Sequence, residues 1–214
     1  MTQFEELAET VRQDFERRHQ VREKALRLAR ELTTRSAHAI RAIHRGEVEE
    51  AEANMQEARS IVDELKKSVE QDAEIYYSGY TQDAIKEFVE ARLTINMIQN
   101  KPLALPAELG VECAPYLNGL AESTGELRRR CLDILRQGYS DDAERLLNLM
   151  DEIYSLLVTV DYPDAITHGL RRQTDLVRSI VERTRADLTT SLGEQRLQQS
   201  LKEFEKRIAN HGQE

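Results

Sequence analysis

Apolar residues recur along this chain at intervals of three and four and nowhere alternate with polar ones over a strand's length, so the pattern predicts helices and no sheet. In the first stretch, residues 2–45, Val21, Ala25, Leu28, Ala29, Leu32, Ser36, Ala39, Ile40 and Ile43 form one stripe, which Gly46 ends as a C-cap. At 100° per residue the opposite face gathers Arg27, Arg30, Thr34, His38, Arg41 and Arg45. A second, acidic helix is expected from Glu47 to about Tyr77, broken by Gly79, and a third from Thr81 to Lys101, where Pro102 removes an amide donor. After the loop KPLALPAELGVE, a fourth helix runs from Pro115 to near Gly138, a fifth from Ser140 or Asp141 to about Val160, and a sixth from Pro163 towards Leu188. The stretch beyond Gly193 reads as a further helix with a frayed end. Long helices and short turns predict an all-α antiparallel bundle of about six or seven helices. Residues 1–192 read as one helical domain and 193–214 as a helical tail.

Composition fits that picture. With 40% hydrophobic residues the 214-residue chain fills a sizeable core, and no Pro/Gly/Ser-rich stretch separates a second domain. No run approaches the ~18 apolar residues of a membrane span, and the opening MTQFEELAETVRQDF lacks a basic or apolar leader, so a cytoplasmic location is expected. Cys113 and Cys131 share no CxxC spacing and read as buried thiols. The formal charge of -9 argues against a nucleic-acid partner until its distribution is considered. Residues 12–45 carry ten Arg or Lys against four acids, a local net of +6, and residues 47–74 carry ten acids against three bases. The rail Arg27, Arg30, His38, Arg41 and Arg45 is either a solvated face or, in a fold that turns it inward, a phosphate-binding one.

Two carboxylate pairs carry the candidate chemistry. Glu87 and Glu90 stand at i,i+3 in EFVEA, and Glu122 and Glu126 at i,i+4 in AESTGEL, each pair on one side of its helix. Four facing carboxylates would need protons or a hard cation such as Mg2+ or Mn2+. Such pairs also arise by chance in a chain with 39 acids, and Glu126 has Arg129 and Arg130 within a turn, so surface pairing stands beside the metal reading. Gly119 and Gly125 inside a helix point to close backbone approach. Leu93, Ile95, Met97 and Ile98 occupy several sides of the third helix and would shelter Glu90. Tyr76, Tyr77 and Tyr80 are candidates for base stacking or for core. His19, His38, His44, His168 and His211 are scattered, and only Glu16 and His19 have the spacing a di-iron bundle uses twice.

The stretch YYSGYTQDAIKEFVEA, and beyond the loop YLNGLAESTGELRRRCLDILRQGY, resembles translin and especially its partner TRAX. There an E-[YF]-V-E-A helix precedes a G-x-x-[DE]-x-T-G-E-L helix, and the resemblance spans roughly residues 20 to 188. It implies a translin-like helical bundle assembled as a homo-oligomer, octamer-like and hollow, around RNA. It also implies, for the TRAX type, a divalent-metal-dependent endoribonuclease with Glu87, Glu90, Glu122 and Glu126 as metal ligands and catalytic residues. Glu122 falls where TRAX has Asp, one methylene shorter. The alternative is the translin type, which binds RNA or single-stranded DNA without cutting it. The tail after Gly193 has no counterpart in the resemblance.

Overall fold

The computed structural model describes residues 2–211, and all regular structure among them is α-helical. Helix α1 (Gln3–Arg45) opens on a capping box, in which the Thr2 hydroxyl accepts from the Glu5 amide at 3.3 Å and the Glu5 carboxylate from the Thr2 amide at 2.6 Å. It ends at Gly46, whose φ of +80° needs the freedom of glycine. The chain turns there into α2 (Val48–Ser68), which packs back along α1. Ala25, Leu28, Leu32, Ala39 and Ile43 of α1 and Ala51, Met55, Ala58, Val62 and Leu65 of α2 are buried.

The charge blocks meet across this hairpin. Arg17 reaches Asp72 at 2.9 Å, Lys24 reaches Glu64 at 2.9 Å, Arg35 reaches Glu57 at 2.9 Å, and Arg45 pairs with Glu47. Partner numbers fall as those on α1 rise, as antiparallel packing requires. Each exposed pair contributes under about 1 kcal/mol, so the row acts on register more than on stability. Much of the basic block therefore answers the acidic one.

The expected second helix is divided. Beyond α2, Asp72 turns its carboxylate to Arg17 and its carbonyl accepts from the Ile75 amide, starting a separate turn, α3 (Ala73–Tyr76). Gly79 does not break the chain but begins α4 (Gly79–Ile98), whose first turn bonds back to the Ser78 carbonyl. The loop after α4 holds one helical turn, α5 (Pro106–Leu109), entered through proline. Asn96 donates to the Pro102 carbonyl at 2.8 Å and the Tyr116 hydroxyl to that of Ala104 at 3.0 Å, which pins the loop. Helix α6 (Cys113–Leu135) follows, then α7 (Asp141–Val158), capped by the Ser140 hydroxyl. A single turn, α8 (Asp164–Thr167), ends at His168 and Gly169, with φ of 52° and 84°, so the helix expected from Pro163 is interrupted before α9 (Leu170–His211). Helix α9 then runs through Gly193 unbroken, because one mid-helix glycine costs only about 1 kcal/mol. The expected fraying falls partly on residues 212–214, outside the described ones.

The chain divides into two compact units, Met1–Asn96 with Pro102–Gly119, and Met97–Lys101 with Leu120–Glu214. The first has a core that includes Leu28, Leu32, Met55, Ile85 and Phe88, with Arg92 of α4 bonded to Glu52 of α2 at 2.8 Å. In the second, α7 packs on α9, and Leu127, Leu146, Met150, Val177, Val181 and Leu188 are buried. Cys131 is buried here too, but Cys113, five turns earlier on α6, is exposed, because it lies on the outward side of a first turn that buries Pro115 and Tyr116 instead. Burial pushes the Cys131 thiol up to about 12. Two stripes of large apolar side chains face solvent: Phe4, Leu7, Val11 and Phe15 on α1, and Leu197, Leu201, Phe204 and Ile208 on α9. No described helix is long and apolar enough to cross a membrane.

Candidate metal centre

Gly119 determines how α6 meets α4. A Cβ there would lie 2.7 Å from the Lys86 carbonyl oxygen, 2.9 Å from Val89 Cβ and 3.0 Å from the Glu90 amide nitrogen, so the backbone of α6 rests directly on α4. The companion expectation at Gly125 is not met, because nothing lies within 4 Å of a Cβ built there. Glu87 and Glu90 share a face of α4 at i,i+3 and are both half-buried, between the buried residues Phe88, Val89 and Ala91. Glu122 follows Gly119 by one turn in the same unbroken helix. Oxygens of Glu87, Glu90 and Glu122 lie within 4.8 Å of one another.

That spacing fits a hard cation. Oxygens at 2.0–2.1 Å on opposite sides of an octahedral ion stand about 4.2 Å apart, and an all-carboxylate donor set suits Mg2+ or Mn2+. Lys86 lies 3.8 Å from Glu87 and supplies positive charge beside the group. One turn beyond Glu90 on the same face, the Thr94 hydroxyl is fully buried without a hydrogen-bond partner. Ser123 and Thr124, inside the AESTGEL run, are buried but bond back to the carbonyls of Leu120 and Ala121 at 2.7 Å each. Glu126 is not one of the three grouped carboxylates; it stands 3.6 Å from Arg129, one turn away.

Gln173, which the helical pattern does not single out, donates from Nε2 to Glu122 Oε1 at 2.7 Å. The signal for it is faint: a polar residue in the stripe of α9 that buries Leu170, Val177, Val181 and Leu188. Thr184, the other polar member of that stripe, accepts from Arg128 at 3.0 Å.

The rail residues Arg27, Arg30, His38, Arg41 and Arg45 are all exposed. Arg27 pairs with Glu31 at 3.6 Å and Arg45 with Glu47, whereas Arg30, His38 and Arg41 form no ion pair among the described residues. Tyr76 has a structural place, its hydroxyl donating to Glu112 at 2.6 Å and its ring edge-on to that of Tyr77 at 4.9 Å. Burial raises the Tyr76 pKa.

No family profile matches the chain. It is 32% identical over 184 residues to an uncharacterized protein of Methanocaldococcus jannaschii, covering 85% of this chain and 81% of that protein. Among solved structures it is similar to AfC3PO in complex with duplex RNA, at 34% identity and a TM-score of 0.81, covering 87% of this chain and 97% of the other. AfC3PO alone superposes with a TM-score of 0.79 at the same identity. Apo-NeC3PO, at 19% identity and a TM-score of 0.73 over 89% of this chain, shares the fold.

Proposed function

We propose that this chain, which belongs to the translin/TRAX family, binds RNA and cuts it as a divalent-metal-dependent endoribonuclease. The observation that carries the reading is the trio Glu87, Glu90 and Glu122, gathered where α6 rests on α4, in a chain 34% identical to a protein solved with duplex RNA. In this reading the three carboxylates hold one Mg2+ or Mn2+. Such an ion, when bound, acidifies a water and stabilises charge on phosphate oxygens. Glu87 and Glu90, fixed on one helix face, would hold the ion together with Glu122 of α6. Water attacks the scissile phosphorus and the 3′ oxygen leaves, so the products are a 5′-phosphate and a 3′-hydroxyl. Arg30, His38 and Arg41 meet the RNA backbone, helped by Arg27 and Arg45 at the ends of the rail.

Cutting takes place inside a homo-oligomer larger than a dimer, an octamer-like shell, in the cytoplasm. The exposed apolar stripes on α1 and α9 support assembly, since monomers seldom leave such rows uncovered. Light scattering at micromolar concentration tests this part, and a monomer would overturn it. The catalytic part is tested by cleavage of a labelled RNA duplex and single strand with Mg2+ and with chelator. Glu87→Gln, Glu90→Gln and Glu122→Gln should each abolish metal-dependent cleavage with binding retained. Equal cleavage by all three and the parent would remove the site, and binding without any cleavage would leave a translin-like RNA or single-stranded DNA binder.

A further inference from the structure

The buried stripe of α9 has apolar residues at Leu170, Val177, Val181 and Leu188, and helical spacing calls for one more between the first two. Gln173 stands there, half-buried, and spends its amide on Glu122 at 2.7 Å. A carboxylate only accepts hydrogen bonds, so the amide nitrogen must be the atom facing it. The choice of a neutral donor matters. Lys86 beside Glu87 and Arg129 beside Glu126 bring positive charge, which competes with a cation for the same carboxylate. Gln173 brings a directed N–H and no net charge. The last torsion of a glutamate is broad, so a fixed donor on one oxygen selects the direction in which the group points.

We propose that Gln173 is a positioning residue that turns Glu122 towards the cation it shares with Glu87 and Glu90; this rests on the metal-site reading above. Removing a hydrogen-bond donor that orients a metal-binding side chain typically changes metal affinity by about 10-fold or more. Gln173→Leu and Gln173→Met both place an apolar group in an apolar stripe, so two variants are available that keep the helix packed.

The test is titration of the full-length protein with Mn2+ alone, followed by the electron paramagnetic resonance of the free ion, beside the Mg2+ dependence of RNA cleavage. Both variants should weaken Mn2+ binding by about 10-fold or more, melt no earlier than the parent, and recover most of the maximal cleavage rate at saturating Mg2+. A Kd within about two-fold of the parent in both, while Glu122→Gln removes Mn2+ binding, would overturn the positioning role and leave the metal site standing. Unchanged Mn2+ binding in Glu87→Gln and Glu122→Gln would remove the metal site itself and the role of Gln173 with it.

Discussion

Substituting alanine at Gly119 and at Gly125 makes the same chemical change on the same helix, and the structure requires opposite results. At both positions alanine gains about 1 kcal/mol in helix propensity over glycine. At Gly125 nothing lies within 4 Å of the added methyl, so that gain stands alone. At Gly119 the methyl would lie 2.7 Å from the Lys86 carbonyl oxygen, and ordinary contact begins near 3.4 Å, so α6 must lift from α4 by roughly 0.7 Å or the backbone of α4 must bend. Overpacking against backbone of this kind costs about 2–3 kcal/mol, leaving Gly119→Ala less stable than the parent by about 1–2 kcal/mol. The two variants should therefore differ by about 2–3 kcal/mol, or roughly 4–12 °C in Tm at this chain length. Differential scanning calorimetry measures the difference. A Gly119→Ala protein that melts at or above Gly125→Ala would refute the close packing on which the site depends.

Charge reversal at Arg30 and Arg41 should weaken RNA binding and flatten its dependence on log salt by roughly 0.9 for each phosphate no longer neutralised; an unchanged slope in a filter-binding series would mark the rail as ordinary surface. In native protein at pH 8, Ellman's reagent should titrate the exposed Cys113 and spare Cys131, whose thiol burial raises to about 12, with both reacting in denaturant. Glu64 has its pKa lowered from 4.5 by the hydrogen bond from Lys24, so the pair stabilises the fold above that pH and the contribution is lost as pH falls through the lower folded value. Parent and Glu64→Gln should accordingly differ by under about 1 kcal/mol at pH 7 and converge on acidification; a difference that widens below pH 4.5 would reverse the assignment.

Periodicity makes the long helices legible because each buries one stripe, and the stripe of α1 is readable residue by residue. It does not reveal breaks whose cause is local and polar. Asp72 turning to Arg17 splits the second expected helix, and the paired left-handed residues His168 and Gly169 split the sixth. The two glycines of α6 look alike in sequence, yet only Gly119 has a backbone against it, since a contact belongs to two segments and a composition to one. The same limit applies to the carboxylates: spacing pairs Glu87 with Glu90 and Glu122 with Glu126 on one side of each helix, but does not say which oxygens come within 4.8 Å of one another, as those of Glu87, Glu90 and Glu122 do. Gln173 is visible in the pattern only as a polar residue in an apolar stripe, and nothing there names Glu122 as its partner.

The unbroken run of α9 past Gly193 makes its end a gauge of what surrounds the chain. No side chain from Gly193 to Ile208 is buried, so its amides are held mainly by bonds along the helix. A helical segment of this length with little packing behind it is marginal in water, and its amides should exchange with solvent deuterium quickly unless something covers Leu197, Leu201, Phe204 and Ile208. Exchange between Leu170 and Leu188 reports the folding of this unit, while exchange beyond Gly193 reports its neighbours. The ratio of the two, followed against protein concentration, reads association in solution without an attached probe or a substrate.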